Sequence, residues 1–367
     1  MNILHILPMN KMSGAERVAL LICKEMVEVN SVVVTGGPNL AVEFQKKGIQ
    51  AYDLNFSLSK FRTLQKQLNN LISEHSIDII HAHDNIASLV TYLTKKKYKL
   101  NVKIVSHIHN CYPWLENNGL LKGIDKLIRQ FYDYNIACGQ VVYDYYKKNA
   151  SYVNLEKMSI LSNAIDLDTL GQLPQIEIAT LREQFNISFD KIIIGYIGRL
   201  SYQKGLIPFI QTLSKDKESF NDCQFLIVGS GEEEEILKKL VHSLDLDELF
   251  IFVGFQSDVY PFYQLIDIFF LPSLYEGLPM VLLEAMGSGV PTISMNVGSI
   301  SEVIVHEENG YLIQRDNYKQ FIEHLNSLKN NVELREKFSM EGMKQIDCNF
   351  NIKQYSNSLY KIYSSIL

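Results

Sequence analysis

The sequence predicts an α/β protein built from two doubly wound domains, each a parallel sheet covered by helices on both faces. Three observations lead there. Short β-branched and aromatic runs bounded by Gly or Pro alternate with helix-length amphipathic segments along the whole chain, as strand–helix–strand crossovers require. The alternation lapses once, midway, and then starts again, so there are two such blocks. A length of 367 residues suits two domains of about 150 to 200 residues each.

In the first half, "NILHIL" is the opening strand, and "MSGAER" turns the chain into the amphipathic helix "VALLICKEMVEV". "VVVTGG", "DIIHAHD" and "VKIVSHIHN" follow as strands, with helix-length segments between them. The second half repeats the pattern with "KIIIGYIGRL", "CQFLIVGSG", "LFIFVGF", "DIFFLPS" and "VPTISMN". The boundary is expected within residues 162–179, "SNAIDLDTLGQLPQIEIA", where turn formers gather. It divides the chain into domains 1–173 and 174–346. In the tail, Tyr355, Leu359, Ile362 and Tyr363 have helical spacing, so a closing helix over about 347–367 is expected to pack back on the first domain.

Composition excludes several classes. The longest apolar runs, such as "DIFFLP" and "MVLL", fall far short of the ~20 residues of a membrane span. "MNILHILPMN" lacks a basic leader region and a cleavage site, so a cytoplasmic protein is expected. Five scattered cysteines without a CxxC pair indicate neither a zinc site nor a disulfide framework. Residues 1–173 carry 19 Lys+Arg against 15 Asp+Glu, and residues 174–367 carry 16 against 26, so +4 and −10 give the net −6. Neither half is basic enough for a nucleic-acid binder, although the first could lean on an anionic surface.

Ligands of open parallel sheets bind at the carboxyl ends of the strands, and unusual polar residues fall there. In the first half these are Gly14, the pair His81 and His83, and the pair His107 and His109. In the second they are Arg199, Gly229, Phe255 and Glu276. Two decorated edges suggest one site in a cleft between the domains. In "IGRLSYQKG", Arg199 and Lys204 stand beyond a strand and before a helix starting near Gly205. Two cations beside helix amides can receive a diphosphate; the alternative is a pair of solvated surface charges.

"YEGLPMVLLEAMG" places Glu276 and Glu284 in an otherwise apolar stretch, with seven residues between them. Burying an unpaired carboxylate costs several kcal/mol, or about that order, so each must hold something. Pro279 suits the start of a helix, which puts Glu284 in its second turn with Gly277, Gly287 and Ser288 leaving space beside it for a polyol such as a ribose. Glu276 precedes the helix and can face a ligand whose phosphate sits on the first amides. The alternatives are a helix-dipole acid for Glu276 and a salt bridge for Glu284.

"EGLPMVLLEAMGSGVPTI" resembles the E-x7-E signature of retaining glycosyltransferases of family 4, and the resemblance runs along nearly the whole chain. "MSGAER" looks like that family's Gly-Gly-Ala-Glu-Arg loop, "DIIHAHD" like its acceptor-domain strand, and "SNAID" like its linker. "IGRLSYQKG", "LIVGSGEEEEIL" and "FVGFQSDVYPFYQLIDIFFLPSLYEG" look like its donor-domain core. The resemblance implies the GT-B fold, two Rossmann-like domains facing across a cleft, the first for the acceptor and the second for a nucleotide-sugar. It implies that Arg199 and Lys204 hold the diphosphate, Glu284 the ribose and Glu276 the transferred sugar, with Gly277, Leu278 and Met280 offering backbone amides. Gly14, Gly229 and Phe255 join the donor site. Glu16, His107 and His109 are assigned to the acceptor side, with His109 or His107 as the active-site histidine. Ser13 replaces the first glycine of the loop, and Ala164 replaces a linker glycine.

The expected activity is transfer of a hexose from a nucleotide-diphosphate sugar, with UDP as the expected nucleotide, to a glycan or lipid-linked acceptor in capsule, exopolysaccharide or other surface-polysaccharide assembly. By resemblance the anomeric configuration is retained and no metal or other cofactor is needed. A nucleotide-sugar epimerase and an inactive glycosyltransferase-like binding subunit are the competing expectations. "HAHD" and "HIH" could hold a metal, since imidazoles two apart on a strand project the same way, but no further His, Cys or acid cluster is expected to complete the set. "GSGEEEE" lacks the third glycine of a dinucleotide fingerprint. In "LLKGIDKLIRQFY", Leu120, Leu121, Ile124, Leu127, Ile128 and Phe131 form one helical stripe with Lys122, Lys126 and Arg129 off it. A core-facing helix is the leading expectation; the alternative is peripheral contact with anionic lipid at the inner face of the membrane.

Overall fold

The computed structural model describes residues 1–117, 119–171 and 174–367. Its contacts divide the chain into two compact units, Met1–Ala164 with Ile352–Leu367, and Ile165–Asn351. The boundary expected between residues 173 and 174 touches Gln172 and Leu173, which lie outside the described residues, as does Asn118.

The first unit holds a seven-stranded sheet among the described residues: β1 (Asn2–Leu7), β2 (Asn30–Thr35), β3 (Gln50–Asp53), β4 (Ile79–His83), β5 (Lys103–Ile108), β6 (Tyr134–Ala137) and β7 (Met158–Ile160), in the order β3-β2-β1-β4-β5-β6-β7. The second holds six: β8 (Ile192–Ile197), β9 (Cys223–Val228), β10 (Phe250–Gly254), β11 (Ile268–Leu271), β12 (Thr292–Asn296) and β13 (Tyr311–Gln314), in the order β10-β9-β8-β11-β12-β13. All pairings between neighbouring strands are parallel. Both sheets therefore reverse strand order beside their first strand, at β1/β4 and at β8/β11, and such a switch point opens a crevice at the carboxyl ends. This is the two-domain doubly wound α/β architecture that the sequence predicts.

Alternation along the strands sorts the first core. Leu4, Ile6, Val32, Val34, Ile80 and Ala82 pack on one face with Leu64 and Leu68. The intervening positions, His5, His81 and His83 among them, project from the other face. Tyr355, Leu359, Ile362 and Tyr363 are buried along the closing helix Ile352–Ile366, which belongs to the first unit. The second core is aromatic, with Phe209 stacked on Phe270 at 4.6 Å between centroids.

Candidate active site

In the second unit, Lys204 follows β8 and Glu276 follows β11, so the switch point brings them together. Lys204 Nζ lies 2.6 Å from Glu276 Oε1, and Ser273 Oγ donates to the same oxygen at 2.7 Å. Both ends of the ion pair are largely shielded, at 12% and 7% side-chain exposure. Arg199 is different. Its guanidinium reaches Glu232 at 3.0 Å on the open surface, and such an exposed pair contributes little, so the cation is cheaply re-paired.

Glu276 stands before the helix Met280–Gly287, whose N-cap Pro279 is extended. Gly277 is exposed and a Cβ there would meet nothing within 4 Å, while Leu278 and Met280 are buried. Gly298 closes the loop from behind: at φ +58°, a Cβ would lie 2.2 Å from the Glu276 carbonyl oxygen. The Gly277 carbonyl accepts from the Ser299 amide at 2.8 Å. Glu284 is fully buried, and Tyr263 Oη donates to its Oε2 at 2.9 Å. One expectation is corrected here. The space beside Gly287 is filled by Ile165, Leu167 and Leu170, with the nearest methyls 2.8 and 2.9 Å from a notional Cβ, because the segment after Ala164 packs across that glycine. Gly277 is the open one. Gly229 lies at φ +135°, and its notional Cβ would strike the Gly198 carbonyl at 1.9 Å, so the ends of β8 and β9 touch there. Phe255, just past β10, is 73% exposed.

In the first unit, Gly14 opens the helix Gly14–Glu25 behind an extended Ser13. The Ser13 hydroxyl donates to the buried Glu16 carboxylate. Asp84, between β4 and the helix Asn85–Tyr98, is held at φ +85° with its amide donating to the His107 carbonyl. Burial pushes the Asp84 carboxyl up, and Glu16 adds to this.

The histidines of β4 and β5 are joined by His5, which sequence reasoning missed. His5 pairs in register with His81 across β1/β4, and His83 with His107 across β4/β5. His81 and His83 stack at 4.3 Å between centroids, and the tilted rings of His107 and His109 lie 4.1 Å apart. The expectation that nothing completes a histidine set is thus overturned: nitrogens of His5, His81 and His83, and of His83, His107 and His109, lie within 4.8 Å of one another. Three imidazoles are a donor set suited to zinc and similar ions. The missed signal was a histidine within an otherwise apolar core strand. Burial lowers His5 and His109 to about 4 and places His81, His83 and His107 well below their ordinary value, so all five are neutral at pH 7. A third set, His306, Glu307 and His324, lies near the surface of the second unit. There the Leu312 amide already donates to His306 Nδ1.

The helix Leu120–Arg129 is also corrected. It buries Asp125 and Arg129 and leaves Leu120, Leu121 and Leu127 exposed, with Phe131 exposed just beyond. The reason is a satisfied polar seam. Arg129 binds Asp125 at 2.7 Å and reaches Asn85 and Asn135, while Tyr152 donates to Asp125. Phe131 stacks on Tyr92 at 5.2 Å, and with Lys95, Lys96 and Lys99 these rings line a shallow hollow. Among the described residues no helix is long and apolar enough to cross a membrane.

Two parallel-sheet units with decorated switch points define a GT-B glycosyltransferase architecture. Residues 12–169 match the model of Glycosyltransferase Family 4, and residues 177–345 that of Glycosyl transferases group 1; the chain belongs to this glycosyltransferase family. It is 27% identical over 336 residues to an uncharacterized glycosyltransferase of Haemophilus influenzae, covering 90% of each chain. It is 23% identical over 339 residues to the Escherichia coli UDP-Gal:alpha-D-GlcNAc-diphosphoundecaprenol alpha-1,3-galactosyltransferase, covering 87% of this chain and 86% of that one. In fold it is similar to Anabaena HepE, solved in complex with UDP, with a TM-score of 0.87 at 19% identity and full coverage of both chains.

Proposed function

We propose that this glycosyltransferase takes a hexose from a UDP-sugar and transfers it, with retention, to a glycan or lipid-linked acceptor in surface-polysaccharide assembly. The observation that carries this is the meeting of Lys204 and Glu276 at the β8/β11 switch point. HepE's complex with UDP and the E. coli relative's UDP-galactose donor support the choice of nucleotide. That relative's diphosphoundecaprenol acceptor supports a lipid-linked one.

In this account Arg199 and Lys204 bind the diphosphate and stabilise the charge that develops on it as the glycosidic bond breaks. The helix start at Met280 and the open backbone at Gly277 and Leu278 assist them. Glu284, steadied by Tyr263, accepts ribose hydroxyls. Glu276 orients the sugar hydroxyls; Gly229 and Phe255 line the donor, and Gly14 offers close backbone approach. Glu16, His107 and His109 serve the glycan from the first unit. Protein cations do the work a metal would otherwise do, so the reaction is proposed to be metal-free. The leaving phosphate takes the acceptor's proton on the face it departs from, which retains configuration without a covalent enzyme intermediate.

The protein is further proposed to work peripherally on the inner membrane face, because the exposed leucines of Leu120–Arg129 flank Lys126 in the sequence, and Phe131 just beyond the helix lines a hollow with Lys96 and Lys99. Apolar anchoring with adjacent cations fits an anionic bilayer surface.

The test is incubation with a panel of radiolabelled nucleotide-sugars and a lipid-linked acceptor. Nucleotide release with label transfer is expected, in greatest yield from a UDP-sugar. Isomerised sugar without release would indicate an epimerase, and nucleotide binding without turnover an inactive subunit.

A further inference from the structure

The five histidines form two separate hydrogen-bonded chains. In one, His5 Nδ1 meets His83 Nε2 at 3.2 Å, and His83 Nδ1 meets His109 Nε2 at 3.3 Å. In the other, Tyr363 Oη meets His81 Nδ1 at 2.5 Å, and His81 Nε2 meets His107 Nδ1 at 3.2 Å. Only the first ends on a part-buried ring, that of His109.

Three neutral imidazoles carry three protons, one each, so the first chain has two arrangements. Either every ring donates towards His109, or every ring donates towards His5. The far nitrogen of His5, Nε2, is buried without a hydrogen-bond partner. If the chain ran towards His5, that nitrogen would carry a buried N–H with no acceptor. If it runs towards His109, Nε2 is left with a bare lone pair. Orphaned buried N–H groups are rarer and costlier than under-used acceptors, so the second arrangement wins. His5 then donates to His83, His83 donates to His109 Nε2, and the proton of His109 must sit on Nδ1. The Tyr363 chain has no such bias, because either direction leaves one donor unplaced.

We propose that His5, acting through His83, is a positioning residue that fixes His109 as the Nδ1–H tautomer, so that His109 presents a hydrogen-bond donor to an oxygen of the bound glycan. The role of the donor rests on the glycosyltransferase function proposed above; the tautomer does not. A ring whose far nitrogen is already engaged presents a defined partner to its ligand, as buried second residues do for catalytic imidazoles.

The experiment is nitrogen NMR on histidine-labelled full-length protein without substrate, the His109 signal being assigned by its loss in His109→Asn. A proton on Nδ1 and none on Nε2 is expected. His5→Asp puts an acceptor in place of the donor at the head of the chain, so His83 should turn its proton towards position 5 and His109 should shift to Nε2–H, with kcat reduced about tenfold or more while nucleotide diphosphate affinity stays within about twofold, since no nucleotide contact is touched. His5→Asn, of similar size to Asp, places an amide N–H where Nδ1–H was and should keep both the tautomer and kcat. An Nε2–H signal in the unmodified protein would overturn the proposal, as would a His109 tautomer indifferent to His5→Asp. Stoichiometric transition metal in the purified protein would overturn it too, because a cation at His5 Nδ1 or His83 Nε2 replaces the bond between them. A shifted tautomer with unchanged kcat would overturn the donor role. Failure of every nucleotide-sugar to react with the unmodified protein would instead reject the proposed activity, and the NMR result would stand apart from it.

Discussion

Lys204 Nζ sits 2.6 Å from Glu276 Oε1, and the two are drawn from strand ends on either side of the β8/β11 switch point. Before any ligand arrives, each is the other's counter-charge. A diphosphate must take over part of the ammonium's hydrogen bonding, and the freed carboxylate oxygen can then turn to a sugar hydroxyl. In the proposed mechanism the pair couples phosphate binding to sugar positioning, so its two halves should fail in different ways.

Lys204→Met leaves Glu276 shielded with no cation. Removing one partner of a buried pair costs about 3 to 5 kcal/mol, so the melting temperature should drop sharply and nucleotide diphosphate binding weaken. Adding Glu276→Gln should recover most of the stability and none of the binding. Calorimetric melts and titrations on the two single variants and the double variant measure this; a double variant as unstable as Lys204→Met would show that the pair is not what stabilises the loop.

The two glutamates separate cleanly by function in this account. Glu284→Gln keeps an acceptor for Tyr263 Oη and exchanges a charged acceptor for a neutral one. Nucleotide diphosphate affinity should fall by about 1 to 2 kcal/mol, roughly tenfold. Glu276→Gln frees the Lys204 ammonium of its competing charge and should leave nucleotide binding no weaker while turnover drops, because sugar positioning is lost. Calorimetry beside initial rates decides it. If both variants bind and turn over normally, the carboxylates are structural.

Excess EDTA should leave turnover unchanged, since in the proposed mechanism Arg199 and Lys204 supply the positive charge at the diphosphate. Activity lost to the chelator and restored by magnesium or manganese would contradict the metal-free mechanism.

Much of this was legible because it lives in local pattern. β8, β9 and β11 are apolar runs with Gly or Pro at their ends, and Lys204, Glu276 and Glu284 stand out against them. β3, β6, β7 and β13 escaped notice, being three or four residues each; three of them are sheet edges, where pairing on one side alone demands little of the sequence. Long-range satisfaction was invisible. Nothing local says that Tyr263 will meet Glu284, that Gly298 will back the Glu276 loop, or that His5 will join histidines more than seventy residues away. The helix Leu120–Arg129 misled for a related reason: hydrophobic periodicity marks an apolar stripe but not which side faces the core, and the Asp125–Arg129 pair with its asparagine and tyrosine partners took the inside.

That exposed stripe should bind membranes. The protein should co-sediment with anionic vesicles at low salt and release as salt shortens the screening length. Changing Lys96, Lys99 and Lys126 together to Ala should weaken binding by about 1 kcal/mol per lysine, and Leu121→Asp with Leu127→Asp should abolish it. Binding absent at low salt, or indifferent to salt, would count against the surface.

The histidine array should also set the acid limit of stability. Burial lowers His5 and His109 to about 4 and His81, His83 and His107 well below their ordinary value, whereas an unfolded chain titrates them near 6.5. Between those values the unfolded state holds protons the folded state refuses, so stability must fall as pH drops from about 6.5 towards 4 and must be fully present above 6.5. At pH 5 His5 alone accounts for about 2 kcal/mol. Carboxylates held low, such as Asp222 beside Lys329, act only at still lower pH, whereas Asp84, held high by burial, opposes the fall with a single proton against the array's several. Urea melts from pH 7.5 to 5 should give a slope of several protons, and His5→Leu should reduce it by about one. A flat profile over that range would mean that the folded protein accepts protons into the array, and the neutral chain from His5 to His109 would fall with it.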